Sequence, residues 1–480
     1  MNIRPETALT FDDVLLVPKR SSIHSRKDVS TSSWLTPGIR LEIPIISANM
    51  DTVTEARMAI AMAQQGGIGI IHRFMSIEQQ VENVRKVKRA ENLIVDQPLT
   101  ISLLATIDEA RQRMLDADVG GLMVVDPENH LVGVVTTRDV LLSRDGGMLI
   151  SEVMTKEDQL IVASPEESME DARKKLYDSR VEKLPLIDKQ GHLVGLITAQ
   201  DIVKLQEHPS ATKDNRGRLR VGVAVGVRDD DVARAIACVD AGADVLVVDI
   251  AHGHSDHTMN ILKALKRDCP KTPVIAGNVA SAEAVADLAE AGANAVKVGV
   301  GAGSICITRI VTGFGVPQLT AIADCSEMGH RLNIPIIADG GLRNSGDIVK
   351  ALAAGASTVM LGSMLAGTVE SPGAAVIRDG RQYKVVRGMA SLSANVERRV
   401  VDKGKVEEEE WGEIVAEGVE AVVPYRGELA DMLHQIIGGL RSGMSYAGAK
   451  TIEQLWHAAE FVRITGAGRE ESGTHDVSKI

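Results

Sequence analysis

One strand–helix–strand unit can be read directly from residues 274–304, which run VIAGNVASAEAVADLAEAGANAVKVGVGAGS. The apolar runs at 274–277 and 296–299 are typical of buried parallel strands, and the stretch between them has the length and spacing of an amphipathic helix. Gly292 follows the helical pattern, where glycine supplies the left-handed conformation that ends many helices. The segment therefore predicts one βαβ unit of a parallel sheet.

Apolar runs of the same kind recur along the chain and make eight in total. They lie at residues 44–47, 67–71, 221–226, 245–250, 274–277, 296–299, 336–339 and 358–362. Eight alternating strands and helices close most naturally into a (β/α)8 barrel of about 250 residues, and a doubly wound sheet is the alternative. We therefore expect an α/β protein built on a TIM barrel.

The barrel pattern breaks between the second and third strands, where residues 93–205 contain a direct repeat. Residues 119–140 align with residues 181–202 at an offset of 62. Two copies are too few for a solenoid, so we predict two modules that bury their sheets against each other. The expected domains are 1–92, the first part of the barrel; 93–205, with repeats at about 93–145 and 155–205; and 206–480, the rest of the barrel with a cysteine loop, a flap at about 388–420 and a C-terminal segment.

Composition argues against several classes of protein. The chain has 480 residues, 53 Lys+Arg and 65 Asp+Glu, and its net charge of −12 lacks the basic surplus of a protein that coats nucleic acid. The four cysteines form no CxxC pair, so neither a zinc site nor a disulfide framework is indicated. No apolar stretch reaches the roughly 18 residues of a membrane span. We expect a cytoplasmic protein without a signal peptide, membrane contact or nucleic-acid partner.

The chemistry is expected in residues 297–318, KVGVGAGSICITRIVTGFGVPQ, which run off the sixth predicted strand. Loops at the carboxyl ends of barrel strands carry catalytic residues. A lone cysteine is usually a small buried hydrophobe, which is our interpretation of Cys238 and Cys325. Cys306 instead lies in a polar, glycine-rich loop, where a thiol can act as a nucleophile.

The next two predicted strands end in sequences suited to a phosphorylated ligand. Asp339-Gly340-Gly341 follows the seventh strand and Gly362-Ser363 follows the eighth. Loops seven and eight of such barrels commonly bind phosphate through backbone amides. An ionised Asp339 offers two oxygens that can accept hydrogen bonds from ribose hydroxyls. A nucleoside monophosphate is therefore the predicted ligand.

These motifs resemble the IMP dehydrogenase/GMP reductase family over nearly the whole chain. The resemblance rests on TFDDV at 10–14, SANMD at 47–51, GSICITR at 303–309, ADGG at 338–341 and GGLRSG at 438–443. The repeat at 93–205 resembles a tandem pair of cystathionine-β-synthase (CBS) domains. The resemblance implies a barrel with a regulatory insertion, assembled as a homotetramer or, through the CBS modules, an octamer.

The resemblance also implies roles for individual residues. Cys306 would attack C2 of the purine, and Thr308 and Glu417 would handle protons. The remaining implied contacts are Ser304, Asp339, Gly340, Gly341, Gly362, Ser363, Gly388, Met389 and Glu417 for the substrate; Asp249, Asn278, Gly299 and Gly301 for the nicotinamide cofactor; and Gly301, Gly303 and Cys306, with Glu471, Ser472 and Gly473 from a neighbouring subunit, for K⁺.

In the CBS modules, the resemblance implies that Thr136, Asp139, Thr198 and Asp201 hold the ribose of adenine or guanine nucleotides. The alternative is that these residues only cap helices, since Thr and Asp are favoured at helix starts. The two interpretations stay open at the level of sequence.

The flap departs from the family pattern. In dehydrogenases the flap carries an Arg-Tyr pair whose Arg is the base for the hydrolytic water, and residues 390–403 hold no such pair. Arg398 or Arg399 could supply the base, and we assign Arg399 that role. Reductases, which expel ammonia from C2, need no such base, but the compact ones lack the CBS pair and have an Arg where Ile414 stands. We expect an NAD-dependent IMP dehydrogenase. A GMP reductase that uses NADPH is the alternative, and a catalytically inactive nucleotide sensor is the third interpretation.

Overall fold

The computed structural model describes residues 3–91, 95, 98–117, 119–142, 145–199, 208–396 and 415–473. The chain forms two compact units. The first comprises Met1–Ala90, Ser210–Thr212 and Leu219–Ile480, and the second comprises Glu91–Pro209 and Lys213–Arg218. No helix in these described ranges is long and apolar enough to cross a membrane.

The first unit is a closed barrel of eight parallel strands, as predicted. In chain order these are β1 (Ile45–Ser47), β2 (Ile68–Ile71), β3 (Gly222–Val225), β4 (Val245–Asp249), β5 (Val274–Val279), β6 (Ala295–Val298), β7 (Ile336–Asp339) and β8 (Thr358–Leu361). The barrel closes where Val359 of β8 lies opposite Ile45 of β1. A doubly wound sheet would leave these two edges open, so closure excludes that alternative.

A helix follows each strand of the barrel. The eight are α1 (Ala56–Gln64), α2 (Ile77–Ala90), α3 (Asp229–Asp240), α4 (Asp256–Asp268), α5 (Ala282–Glu290), α6 (Gln318–Leu332), α7 (Ser345–Ala353) and α8 (Leu429–Ala447). In α5, Ser281 caps the first turn by accepting a hydrogen bond from the Ala284 N–H, while Val285 and Leu288 are buried. Gly292, with φ of 106°, supplies the left-handed turn expected after this helix.

Two apolar layers follow from the alternation of side chains along each strand. Leu246 and Val248 of β4 belong to the large cluster that packs the strands against the helices. Val245 and Val247 belong to a second cluster, formed by inward-facing residues of other strands such as Ile275. Helices therefore cover the outside of the barrel and side chains fill its interior, which leaves the strand ends as the place for a ligand.

A buried ion pair lies at the amino-terminal end of β4. Lys88 Nζ contacts Asp244 Oδ2 at 2.7 Å, and the two side chains are only 4% and 9% exposed. Asp244 directly precedes β4, so this pair is at the end of the strand opposite to Asp249. We expect Lys88→Met to lower the free energy of unfolding by about 3 kcal/mol, because it leaves the buried carboxylate with the guanidinium of Arg220, 3.9 Å away, in place of the close ammonium. Urea unfolding followed by circular dichroism measures this, and a loss under about 1 kcal/mol would contradict it.

Smaller elements complete the first unit. Its other strands are Val14–Leu16 paired with Phe461–Arg463, Ser33–Thr36 paired with Ile39–Leu41, and a three-stranded sheet of Ala375–Arg378, Arg381–Arg387 and Glu420–Pro424. The short helices of this unit with both ends among the described residues are Thr308–Thr312, Ser363–Ala366, Ile452–Ala458 and Gly466–Glu471, with 3₁₀ turns at Phe11–Asp13 and Arg26–Asp28. The three-stranded sheet matters for the site, because it carries the segments before and after the flap.

The second unit repeats its elements with the spacing of the sequence repeat. Corresponding elements begin 62 residues apart: helices Ile107–Asp116 and Met169–Ser179, strands Gly121–Val125 and Lys183–Ile187, and strands Leu131–Thr136 and Leu193–Thr198. Its remaining elements are strands Thr100–Ser102 and Thr155–Lys156, helices Thr137–Leu142 and Ile150–Val153, and the 3₁₀ turn Glu157–Gln159. The imidazoles of His130 and His192 stack with centroids 4.5 Å apart where the two repeats meet.

Candidate active site

A cavity of about 450 Å³ opens at the carboxyl ends of the barrel strands. This is the end at which barrels of this type carry their active sites, and the volume suits a small-molecule ligand. Its lining includes Asn49 and Met50 after β1, Arg73 and Phe74 after β2, Asp249 at the end of β4, Asn278 in β5, the cysteine loop (residues 299–306) apart from Ser304, Asp339 at the end of β7 and Gly340 after it, and Gly388, Met389 and Asn395 in the first part of the flap with Glu417 in its last part.

Three side chains that the sequence singled out form one hydrogen-bonded chain. Thr308 Oγ1 donates to Glu417 Oε2 at 2.7 Å, and Cys306 Sγ lies 3.1 Å from the same Thr308 oxygen. Because the Thr308 hydroxyl hydrogen is donated to Glu417, the Cys306 thiol must be the donor in the contact between Cys306 and Thr308. The arrangement provides a path for a proton from Cys306 through Thr308 to Glu417, and back.

Backbone hydrogen bonds hold Glu417 over the cysteine loop. The Ile307 N–H donates to the Glu417 carbonyl at 2.8 Å, and the Val419 N–H donates to the Ile305 carbonyl at 3.0 Å. On its other side, the Glu417 N–H donates to the Ala390 carbonyl at 3.0 Å. Two segments that are far apart in the chain thus meet through an antiparallel bridge between Cys306 and Gly418, which fixes the backbone position of Glu417.

A buried lysine is the main feature of the cavity that the sequence analysis missed. Lys297 of β6 is 2% exposed, and its Nζ donates to Asp249 Oδ1 at 2.7 Å and to Asp339 Oδ2 at 2.6 Å. It also donates to Asn278 Oδ1. A lysine within an otherwise apolar strand is itself a signal, because lysine is almost never fully buried unless it is paired.

The charges of this cluster stabilise one another. Burial alone would raise the pKa of Asp249, but the Lys297 ammonium and hydrogen bonds from Lys297 and Asn49 outweigh it and hold that pKa below its usual value. Burial opposes the charged form of Lys297 too, yet the charges of Asp249 and Asp339 raise its pKa above the ordinary lysine value. Lys297 is therefore an ammonium across the physiological pH range.

The glycine after β6 allows two loops to touch. Gly299 has φ of 151°, and a Cβ at this position would lie 2.0 Å from the Asp339 carbonyl oxygen. Gly340, after β7, packs against the cysteine loop: a Cβ at this position would lie 3.1 Å from the Gly303 nitrogen. The close approach of these loops places Asp339 in the same cavity as Cys306.

We expect Gly299→Ala to displace Asp339. The variant should lose at least about 3 kcal/mol of stability, because a Cβ within 2.0 Å of a carbonyl oxygen cannot be accommodated without moving backbone. Gly380→Ala is the control: Gly380 also has positive φ, 71°, but nothing lies within 4 Å of its Cβ direction, so it should lose only about 1–2 kcal/mol. Urea unfolding compares the two variants, and equal losses would show that the loop contact is unimportant.

The remaining predicted substrate residues divide into two that line the cavity and four that do not. Gly388 and Met389 line it, and the Arg387 Nε donates to Asp51 Oδ2 at 2.6 Å, which ties this segment to the loop after β1. Gly362 and Ser363 begin the short helix after β8. Ser304 is exposed in the cysteine loop, and Gly341 directly follows Gly340. Ser304, Gly341, Gly362 and Ser363 are absent from the cavity lining formed by the described residues.

The predicted cation set falls in two segments. Gly301, Gly303 and Cys306 lie in the cysteine loop, where the Cys306 N–H already donates to the Gly303 carbonyl at 3.2 Å. Glu471, Ser472 and Gly473 lie at the end of the helix Gly466–Glu471. Arg469 of that helix contacts Asp12 at 3.0 Å, which places the helix beside the first residues of the chain.

Two predicted residues, Arg399 and Asp201, lie outside the described residues. In the first repeat of the second unit, Asp139 Oδ2 accepts hydrogen bonds from the Thr136 N–H at 2.8 Å and the Thr136 hydroxyl at 2.7 Å. This is the local capping arrangement that the sequence analysis gave as the alternative to nucleotide binding. Thr198 is the corresponding residue of the second repeat.

Comparison with known proteins gives relatives along the full length. The chain is 51% identical over 470 residues to the inosine-5'-monophosphate dehydrogenase of Nitrosopumilus maritimus (strain SCM1), with 98% of each chain covered. It is 49% identical over 481 residues to the GMP reductase of Leishmania donovani, with 98% of this chain and 97% of the relative covered.

The solved structures lead to the same group. A crystal structure of a cysteine-to-alanine variant of GMP reductase from Trypanosoma brucei, in complex with guanosine 5'-monophosphate, is 47% identical with a TM-score of 0.83 and 98% of each chain covered. Residues 8–475 match the family model described as the IMP dehydrogenase / GMP reductase domain. The chain therefore belongs to the IMP dehydrogenase/GMP reductase family of oxidoreductases.

Proposed function

We propose that the chain exchanges a substituent for hydrogen at C2 of a purine nucleoside monophosphate, and that it does so as a GMP reductase. The observation that carries this proposal is the hydrogen-bonded chain from Cys306 through Thr308 to Glu417. This chain contains what a reductase needs, namely a nucleophile for C2 and a path that delivers a proton to the departing ammonia.

In the proposed reaction, Cys306 passes its proton through Thr308 to Glu417, and the thiolate adds to C2 of GMP. Glu417 then returns a proton through Thr308 to the 2-amino group, which leaves as ammonia, and a thioimidate on Cys306 remains. The nicotinamide cofactor, when bound, supplies the hydride to C2. The Cys306–C2 bond then breaks, which releases IMP and regenerates the thiolate.

The polar side of the cavity fits the cofactor's carboxamide and ribose. Asp249 and Asn278 lie there, both held by hydrogen bonds from Lys297, and Cys306 lines the same cavity. Asp339 would hold the ribose of the substrate, while Gly388 and Met389 would meet its base through backbone groups. Glycine amides after β7 and β8, with Ser304 and Ser363, would bind the phosphate.

The choice of reductase over dehydrogenase rests on the flap and on the relatives. The inserted module in the sequence favours the dehydrogenase, because compact reductases lack such a module. The Leishmania donovani relative, named a GMP reductase, matches over 97% of its own length, so the insertion no longer separates the two activities. What still separates them is the hydrolytic base, and residues 390–403 hold no Arg-Tyr pair.

IMP dehydrogenase is the second candidate, favoured by the 51% identity to the relative that carries this name. It would use NAD⁺ and the same thioimidate, which water would hydrolyse to XMP with Arg399 as the base. Absorbance at 340 nm distinguishes the two, with IMP and NAD⁺ in one cuvette and GMP and NADPH in another. A fall in the second cuvette alone supports the reductase, and a rise in the first alone replaces it with the dehydrogenase.

The assembly and the second unit are also matters of proposal. We propose a homotetramer in which carbonyls of the cysteine loop and the segment 471–473 of a neighbouring subunit share a monovalent cation such as K⁺. We further propose that the second unit is a CBS pair that binds adenine or guanine nucleotides near Thr136 and Thr198. Turnover with and without K⁺, and nucleotide titrations of the full chain, test these two points.

A further inference from the structure

One buried ammonium serves two carboxylates at the centre of the cavity. Lys297 Nζ donates to Asp249, Asp339 and Asn278, which lie at the ends of β4, β7 and β5. An ammonium has three hydrogens, so these acceptors use its whole donor capacity. We infer that Lys297 is a positioning residue that keeps Asp339 and Asp249 ionised and oriented for two different ligands without contacting either ligand itself. This inference rests on the proposed function only in that Asp339 is taken to bind the nucleotide.

The hydrogen bonds of Asp339 and Asp249 differ, as expected if the two carboxylates meet two different ligands. Asp339 Oδ2 accepts from both Lys297 Nζ and Asn278 Nδ2, the latter at 3.0 Å, and its Oδ1 has no hydrogen-bond partner among the described residues. Asp249 accepts from Lys297 at one oxygen and from Asn49 Nδ2, at 2.7 Å, at the other. Asp339 therefore keeps a free oxygen for a ligand hydroxyl, whereas Asp249 is held from two sides.

Lys297 affects the two carboxylates through its charge as well as through packing. Two carboxylates on one ammonium carry a net charge of −1, which Arg73, on the loop after β2, offsets in part on the Asp249 side. Both carboxylate side chains are about one-fifth exposed, at 21% and 22%. Without the ammonium, two like charges would share a poorly solvated site, and one carboxylate would take up a proton. A protonated carboxyl no longer accepts hydrogen bonds at both oxygens, so nucleotide affinity would become dependent on pH.

Lys297→Met removes the ammonium while keeping a side chain of similar length. Isothermal titration of GMP and IMP into the full-length protein between pH 6 and pH 9 gives the affinity without requiring turnover. The phosphate of GMP, with a second pKa of about 6, gives every protein the same pH dependence from the ligand, so each variant is compared with wild type at the same pH. At pH 7 the variant should bind at least about tenfold more weakly, and its affinity relative to wild type should rise with pH as the protonated carboxyl ionises.

A second substitution separates electrostatics from packing. Asp249→Asn in the Lys297→Met background removes the second negative charge, so it should restore much of the GMP affinity and flatten the pH profile of the affinity relative to wild type. Lys297→Arg keeps the positive charge and should also give a flat profile, which keeps the idea testable if Lys297→Met fails to fold. Lys88→Met is the matched control, because it removes a buried ammonium at the other end of β4 and should leave GMP affinity unchanged.

The outcomes are distinct. If Lys297→Met binds GMP with wild-type affinity, or more weakly by the same factor at every pH, the positioning role is wrong. If the affinity of Lys297→Arg relative to wild type rises with pH, the role is also wrong, since its charge is intact. If the wild-type protein binds neither GMP nor IMP, the proposed function fails, whereas nucleotide binding with an unaffected Lys297→Met variant overturns this inference alone.

Discussion

Replacing Cys306 by alanine should abolish turnover and leave nucleotide binding nearly unchanged. In the proposed reaction the thiol makes the covalent adduct at C2, so its removal eliminates that reaction path and should lower kcat by at least about a thousandfold. The nucleotide contacts proposed for Asp339, Gly388 and Met389 do not involve the sulfur. Absorbance at 340 nm measures turnover, and calorimetric titration of GMP measures binding.

Cys325→Ala provides the matched control for this prediction. Cys325 lies in α6 and is fully buried, and burial raises its pKa to about 12, so it is an unreactive thiol. Its substitution should leave kcat unchanged. Residual turnover above about a tenth of wild type in Cys306→Ala would show that the reaction needs no covalent adduct.

Chemical labelling extends the same argument. Cys306 is half-buried, while Cys238, Cys269 and Cys325 are buried, and burial raises the pKa of Cys238 to about 12. Iodoacetamide should therefore modify Cys306 first in the folded protein, and GMP should protect it by occupying the cavity. Peptide mass spectrometry identifies the labelled residue, and labelling of Cys269 before Cys306 would contradict the prediction.

All eight barrel strands could be predicted because each is a short apolar run of a buried parallel sheet, a pattern that depends only on local sequence. The ends of the strands were predicted less accurately. The fifth strand was predicted to end at Gly277, but the structure extends it to Val279. The extension places Asn278 within β5, where it reaches Gly299, Lys297 and Asp339. Such contacts are between distant parts of the chain, so periodicity could not indicate them.

Some residues of the candidate site could likewise be predicted from local sequence, and others could not. Cys306 and Asp339 stand out in the sequence because Cys306 follows one predicted strand and Asp339 ends the next, at the end of the barrel that carries the catalytic loops. Glu417 lies 109 residues after Thr308, in a segment with no strand signal of its own, and only the family resemblance pointed to it. Lys297 was missed because its neighbours are apolar, so it was counted as part of the strand rather than as a charge that must have partners.

Glu417→Gln should lower kcat by about 100- to 1,000-fold while changing KM for the nucleotide by less than about threefold. The amide can still accept a hydrogen bond from Thr308, so the loop should keep its geometry, but it cannot take up or return the proton. Thr308→Val breaks the same path at its middle, whereas Thr308→Ser keeps the hydroxyl and should retain most of the activity. Steady-state assays at 340 nm give both constants.

Because Thr308 and Glu417 form one proton path in the proposed reaction, Thr308→Val/Glu417→Gln should be little worse than either single variant. Losses that multiply in this double variant would mean that the two residues act separately, which would rule out the path from Cys306 through Thr308 to Glu417.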